Sequence, residues 1–328
     1  MRNLKALVFD KNGIENLKYS DVDMPMIKDD EVLVKIVKSG VTQLDYMTIS
    51  SMKVNPIPHI AGSEFSGIVE EVGNNVNNVK EGDKVAVYTR TFDGNCNYCK
   101  RGLEMLCKAG RRIGIDENGG YAEYVKVPAR NVIKANLDWE IMPALSISAL
   151  ASYHALKYSR IKKGDVVVVF GSSGNAGLFA SQLAEIMGGI VVSVTNNELK
   201  VSSNVVTYTE VEEAVKNITD GEMADIVVNP LGSKYWDLGL RLLKQGGKMV
   251  FFGTLSGNKV TIDLTQAYLR HISFIGTVRG TFEEFRELTE ICNKCKSFVW
   301  KEFPLSNGKE ALLSLFSKER KGRILISI

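Results

Sequence analysis

The stretch DGNCNYCKRGLEMLC places Asp93, Cys96, Cys99 and Cys107 within fifteen residues. The pattern Asp-x2-Cys-x2-Cys-x7-Cys offers one oxygen and three sulfur ligands, and zinc accepts all of these in a tetrahedral shell. Three cysteines at this spacing in a cytosolic chain point to a metal before a disulfide. A disulfide between two of them, or an empty lobe, are the other readings the spacing allows. With four protein ligands and no free position, such a zinc would be structural. Cys292 and Cys295 have no His or Cys partner in sequence and read as helix-face residues.

A second chemical signal is VVVVFGSSGNAGLFASQLAEIM. Gly171, Gly174 and Gly177 lie between a continuous β-branched run and a helical pattern. Glycine allows a tight turn and close backbone approach to a pyrophosphate. The helix N-terminus adds free N–H groups and a positive dipole end. Gly171, Ser172, Ser173, Gly174, Asn175 and Ala176 are therefore the expected pyrophosphate cradle. Gly-x-x-Gly-x-x-Gly is not the commoner spacing, but the strand before it and the helix after it supply the required context. The next strand ends VVSVTNNELK. An NAD site usually closes that strand with an acid that accepts from the ribose 2′-hydroxyl. Here Thr195, Asn196 and Asn197 are neutral and Lys200 follows. That rim favours a 2′-phosphate, so NADP(H) is the expected cofactor. The segment from Lys200 to Tyr208 is short for a full helix.

The elements that must hold these residues change character once along the chain. EVLVKIVKSG, SGIVEEVG, DKVAVYT and YAEYVKVP read as short strands separated by polar turns. This half is expected to be a β-rich, partly open barrel. EIMPALSISALASYHALKYS has helical spacing, with Pro143 tolerated in the first turn. After it, KKGDVVVVF, IVVSV, ADIVVNP, GGKMVFFG and SFIGTV alternate with helical segments, as in a doubly wound parallel sheet. TFEEFRELTEICNKCKSF reads as one amphipathic helix, and GRILISI as a last strand that returns to the first domain. The expected division is residues 1–138 with 281–328, carrying the cysteine lobe at 90–110, and residues 139–280.

The 328 residues carry a net charge of +3, are 45% hydrophobic, and include five cysteines. The charge is too small to imply nucleic acid. No 18-residue apolar run is present, so no membrane span is expected. The N-terminus lacks the pattern of a signal peptide. A cytoplasmic enzyme acting on a small molecule is the expectation.

Together these features resemble the medium-chain dehydrogenase/reductase superfamily over nearly the whole chain. NPIPHIAGSEFSGIVEEVGNNVNNVKEGDKV is similar to the family signature, and Asp93 stands where the lobe normally has its first cysteine. The resemblance implies an α/β fold: a GroES-like catalytic domain and a Rossmann domain. It also implies an oxidoreductase with Phe252, Gly253 and Thr254 bordering the nicotinamide. Zinc alcohol dehydrogenases of the family bind a catalytic zinc through Cys, His and a Cys or Asp. Here Thr42, Ser63 and Ile147 (Ser146 if the register slips) take those places. Thr and Ser hydroxyls do not hold zinc at neutral pH without stronger company. The chain thus looks like the zinc-free branch of quinone and enoyl reductases, with Thr42 and Asp45 as candidate catalytic residues. Their pocket is expected in the switch-point crevice of the sheet. A tyrosine common in that branch is absent, with Lys53 near its place, so the proton donor is unassigned. A zinc alcohol dehydrogenase with altered ligands and a non-catalytic NADPH-binding relative are the alternatives. SFIGTV, at the sheet edge, is expected to pair across a two-fold axis in a homodimer or a dimer of dimers.

Overall fold

The computed structural model describes residues 3–328. Two compact units emerge, one running to Ile147 and resuming at Thr281–Ile328, the other spanning Ser148–Gly280. The first boundary falls after 147, not 138. Met142–Ser146 forms a 3-10 turn that packs on the β-rich unit, where the Ser146 hydroxyl donates to the Val87 carbonyl at 2.8 Å. The helix expected to run through this region is accordingly shorter. It spans Ser148–Tyr158 and is separated from the 3-10 turn by Ile147 at φ −136°. Pro143 lies inside the 3-10 turn.

In the β-rich unit the strand Glu31–Gly40 is central. It pairs antiparallel with Glu64–Val72, with Tyr124–Pro128 and with the C-terminal strand Arg323–Ser327. The sheet has seven strands, and Val299–Pro304 pairs parallel to the C-terminal strand at one edge. Its apolar face gathers Val34, Ile36, Phe65, Val69, Val85 and Val87, all buried. A smaller three-stranded sheet of Asn3–Phe9, Lys18–Asp23 and His59–Ile60 caps a second core. The return of GRILISI to this unit matters for function, because Arg323 begins that strand.

The second unit is a six-stranded all-parallel sheet. Its spatial order is Asn204–Val206, Ile190–Val194, Val166–Phe170, Ala224–Asn229, Leu243–Phe251, Ser273–Gly276. The order reverses at Val166–Phe170, as in a dinucleotide-binding doubly wound sheet. All five residues of that strand are buried, which explains its unbroken β-branched run. No helix joins Ile190–Val194 to Asn204–Val206. The loop between them is held by serines instead: the Ser193 hydroxyl bonds those of Ser181 at 2.8 Å and Ser202 at 2.7 Å. Ser273–Gly276 is the far edge strand, with Leu264, Tyr268 and Leu269 exposed on the helix before it.

Candidate active site and metal lobe

Thr42 caps the helix Gln43–Ser50, and Asp45 completes a reciprocal capping box. The sequence T-Q-L-D therefore does local work before any chemistry. Asp45 does more than cap. Its Oδ2 accepts from Thr42 N at 3.1 Å and from Thr42 Oγ at 2.6 Å. Its Oδ1 accepts from both the backbone N and the hydroxyl of Ser63 at 2.8 Å. Tyr121, also fully buried, lies near Asp45, and its hydroxyl donates to the Gly40 carbonyl at 3.2 Å. Burial pushes the Asp45 carboxyl above its ordinary range, against the pull of the Thr42 and Ser63 donors. Burial, with Asp45 beside it, likewise holds the Tyr121 phenol well above the usual range.

One aspartate thus engages Thr42 and Ser63, two of the residues that the family resemblance sets at zinc-ligand positions. The third, Ile147, is aliphatic, and Ser146 in the alternative register is buried against Val87. These residues do not fit a catalytic zinc. Lys53 is exposed, and Tyr46 packs edge-on against Phe316 at 4.6 Å. Tyr121 and Arg323 were not singled out by sequence reasoning. Their only signals are a preceding Gly-Gly and a single glycine, which say nothing about a distant carboxylate.

Beside Ser63, Glu64 forms an ion pair with Arg323 at 3.0 Å, and the two side chains are 0% and 2% exposed. A Cβ on Gly40 would stand 2.3 Å from Glu64 Oε2 and 2.9 Å from Arg323 Nη2, so glycine makes the room for this pair. Arg323 also donates to the Glu140 carbonyl. Burial lowers its pKa, with Glu64 opposing.

In the lobe, the ligand atoms of Asp93, Cys96, Cys99 and Cys107 all lie within 4.8 Å of one another. Neighbouring sulfurs around a tetrahedral zinc stand about 3.8 Å apart, given Zn–S bonds of about 2.3 Å. The Cys96 and Cys99 sulfurs are 3.6 Å apart. Asp93 is oriented by the backbone N–H groups of Asn95 at 2.7 Å and Cys96 at 2.9 Å. Those donors, Cys96 first, lower its pKa to about 2, so it is anionic across the neutral range. The donor set fits a structural zinc, and these four residues would hold it. Among the described residues this is the one group of three or more ligating side chains so close together.

The phosphate loop has the geometry its glycines imply. Gly171 sits at φ +63°, and its N–H donates to the Tyr208 hydroxyl at 3.0 Å. A Cβ on Gly177 would meet the Gly171 carbonyl oxygen at 2.2 Å, which sets how closely the helix Asn175–Ile186 crosses the strand. The Ser172 hydroxyl is buried in this loop with no hydrogen-bond partner in the protein. Such an orphan is what a phosphate acceptor would satisfy. At the end of the next strand, Thr195 is buried and donates to the Ser173 hydroxyl at 2.9 Å, as does Asn197. Asn196 and Lys200 are exposed, as is Glu198, the nearest acid in this loop. Gly253 lies where any Cβ would strike the Pro230 carbonyl at 2.0 Å, which leaves two strand ends in close approach. These residues fit a pyridine nucleotide.

Residues 28–137 match the alcohol dehydrogenase GroES-like domain, and residues 176–294 match the zinc-binding dehydrogenase model. The NAD-dependent alcohol dehydrogenase of Sulfolobus acidocaldarius is 32% identical, with 99% of this chain and 100% of the relative aligned. The chain belongs to the medium-chain dehydrogenase/reductase superfamily. A thermostable alcohol dehydrogenase from Pyrobaculum aerophilum, solved with cobalt and zinc bound, superimposes with a TM-score of 0.93 at 35% identity over all of both chains. The acryloyl-coenzyme A reductase of Sulfurisphaera tokodaii is 26% identical over 95% of this chain and 96% of its own. The protein is thus an oxidoreductase of the alcohol dehydrogenase type.

Proposed function

We propose that the protein is an NADP(H)-dependent reductase of an activated carbon–carbon double bond, an enoyl or enone substrate or a quinone, working without catalytic zinc. The observation that carries this reading is Asp45 accepting from both Thr42 and Ser63. When bound, the reduced nicotinamide supplies the hydride that adds to the β-carbon of the substrate. Thr42 is 5% exposed, and its hydroxyl donates to Asp45 at 2.6 Å. Asp45 has no exposed surface. It positions the two hydroxyls and does not touch substrate. The α-carbon then takes its proton from water. Nothing in this network can lower an alcohol's pKa as zinc would, so simple alcohols should not be oxidised. The likeness to an acryloyl-coenzyme A reductase accords with this chemistry.

The test is chelator-treated enzyme assayed with a conjugated enoyl substrate, with a quinone and with ethanol. NADPH consumption with the first two, and none with ethanol, is expected. Ethanol oxidation that disappears with the metal would overturn the zinc-free reading. Turnover of nothing would favour a non-catalytic NADPH-binding protein.

Cofactor choice rests on Thr195 and Lys200. A charge-assisted contact to a 2′-phosphate contributes roughly 1.5–3 kcal/mol, so NADPH should bind about tenfold or more tighter than NADH. Lys200→Ala should erode that preference, and Thr195→Asp should reverse it. Equal dissociation constants for the two cofactors in the unmodified protein would reject the assignment.

A further inference from the structure

The sequence CNKC at residues 292–295 is not part of the lobe or of the hydroxyl network. The helix expected to carry both cysteines ends earlier, spanning Phe282–Ile291, and Cys292–Lys294 is a 3-10 turn. The tighter winding changes what the pair can do. Residues i and i+3 of a 3-10 turn eclipse one another. The Cys295 N–H donates to the Cys292 carbonyl at 3.1 Å, which closes that turn. Each thiol shifts the other's pKa, Cys292 upward and Cys295 downward. Cys292 is fully buried and Cys295 is 7% exposed. Neither has a ligating partner, since the metal-competent group in the described residues comprises only Asp93, Cys96, Cys99 and Cys107.

We propose that Cys292 and Cys295 form a reversible dithiol–disulfide couple, an oxidative modification site separate from the metal lobe. A disulfide needs Cα atoms roughly 4.4–6.8 Å apart, and one closed 3-10 turn brings residues i and i+3 into that range. Charge supports the chemistry. The neighbouring Cys292 side chain holds Cys295 below the ordinary thiol range, while Cys295 and burial hold Cys292 up. The Arg323 guanidinium acts on Cys292 in the opposite sense and favours its thiolate.

The oxidant is a peroxide, small enough to reach a sulfur with so little exposed surface. The Cys295 thiolate attacks one peroxide oxygen, the O–O bond breaks, and a sulfenic acid forms with loss of water. The Cys292 sulfur then attacks the sulfenic sulfur. An S–S bond forms, the S–O bond breaks, and a second water leaves with the Cys292 proton. The two electrons lost by the thiols reduce the peroxide. A dithiol reductant reverses the change by exchange.

The experiment uses the full-length, zinc-supplemented protein treated with limiting hydrogen peroxide, quenched with catalase, denatured, alkylated and digested. The peptide holding Cys292 and Cys295 should be lighter by two hydrogens and unalkylated. Dithiothreitol before alkylation should return it to the doubly alkylated form. Cys292→Ser should leave Cys295 unable to close the bridge, so that dimedone traps its sulfenic acid. Full alkylation of both residues in the wild-type protein, at a peroxide dose that oxidises a free-thiol control, would overturn the proposal. Conversion of Cys295 to the sulfonic acid without any bridged peptide would overturn it as well.

Discussion

Arg323→Met should destabilise the protein by about 3–5 kcal/mol, the usual effect of removing one partner from a buried ion pair. Glu64 and Arg323 are 0% and 2% exposed, so water does not screen what remains. The variant leaves the Glu64 carboxylate buried without its counter-charge. One effect opposes the loss. Burial and Arg323 together hold the Arg320 pKa down to about 10, and removing Arg323 relieves that like-charge contact. Arg320 is still protonated at neutral pH, so this relief is the smaller effect. The pH dependence has a definite sign. Without its partner, Glu64 has a raised pKa in the folded state. A raised carboxyl contributes stability that is present below its unfolded pKa and lost as pH rises through the folded one. The deficit of Arg323→Met should therefore shrink as the pH is lowered. The double variant Glu64→Gln, Arg323→Met should recover much of the loss at neutral pH. Denaturant midpoints of the three proteins across pH check this, and an Arg323→Met deficit that is constant with pH would refute the assignment of its cause.

How far the fold was legible depended on where apolar residues are consecutive. VVVVF and IVVSV announce strands buried on both faces, and the parallel sheet follows from them. A strand of the other unit whose burial alternates, Tyr124–Pro128, was found through alternation in YAEYVKVP. Asn3–Phe9, Lys18–Asp23 and Val299–Pro304 were not found, because their stability comes from pairing with distant strands rather than from their own pattern. The helix errors share one cause. EIMPALSISAL and TEICNKCKSF have helical spacing, but a 3-10 turn uses nearly the same set of apolar positions. Pro143 and the departure of the chain toward Val299 decide between the two windings.

The candidate site was legible as a set of replacements and not as a geometry. Thr42, Ser63 and Ile147 could be named because a family pattern assigns those positions. That Asp45 would engage two of them, with Tyr121 brought near from the bend before Tyr124–Pro128, required the folded chain. The pairing of Glu64 with Arg323, 259 residues later, has no local signature at all. The lobe was the opposite case. Its ligands lie within fifteen residues, and turns at Gly94 (φ +76°) and Gly102 (φ +69°) make the spacing sufficient to set the arrangement.

Cys99→Ser should lower thermal stability far more than it lowers NADPH affinity. Zinc binds a folded lobe and not the unfolded chain, so its binding free energy is added to folding. Replacing one thiolate by a hydroxyl leaves a poor ligand in a four-coordinate shell. Loss of a metal ligand belongs with the large single-site effects, about 3 kcal/mol or more. For a unit of this size that corresponds to a fall in Tm of roughly 6–12 °C. Asp93 predicts a further distinction. It is already anionic and is oriented by two backbone N–H groups, so Asp93→Asn should weaken zinc retention through charge while keeping the loop fold. The lobe nevertheless reports on the rest of its unit. The Phe282 N–H donates to Glu104 at 3.2 Å, and Phe92 and Phe282 pack against Tyr88. Loosening the lobe therefore loosens the start of the helix Phe282–Ile291, and unfolding should stay cooperative within that unit. Zinc content by elemental analysis, with Tm and NADPH titration on the same samples, makes the comparison. One zinc per chain in the wild-type protein and less in Cys99→Ser is the expected pair of values. Zinc-free wild-type protein, expressed with zinc available and as stable as the loaded form, would remove the metal from the structural account.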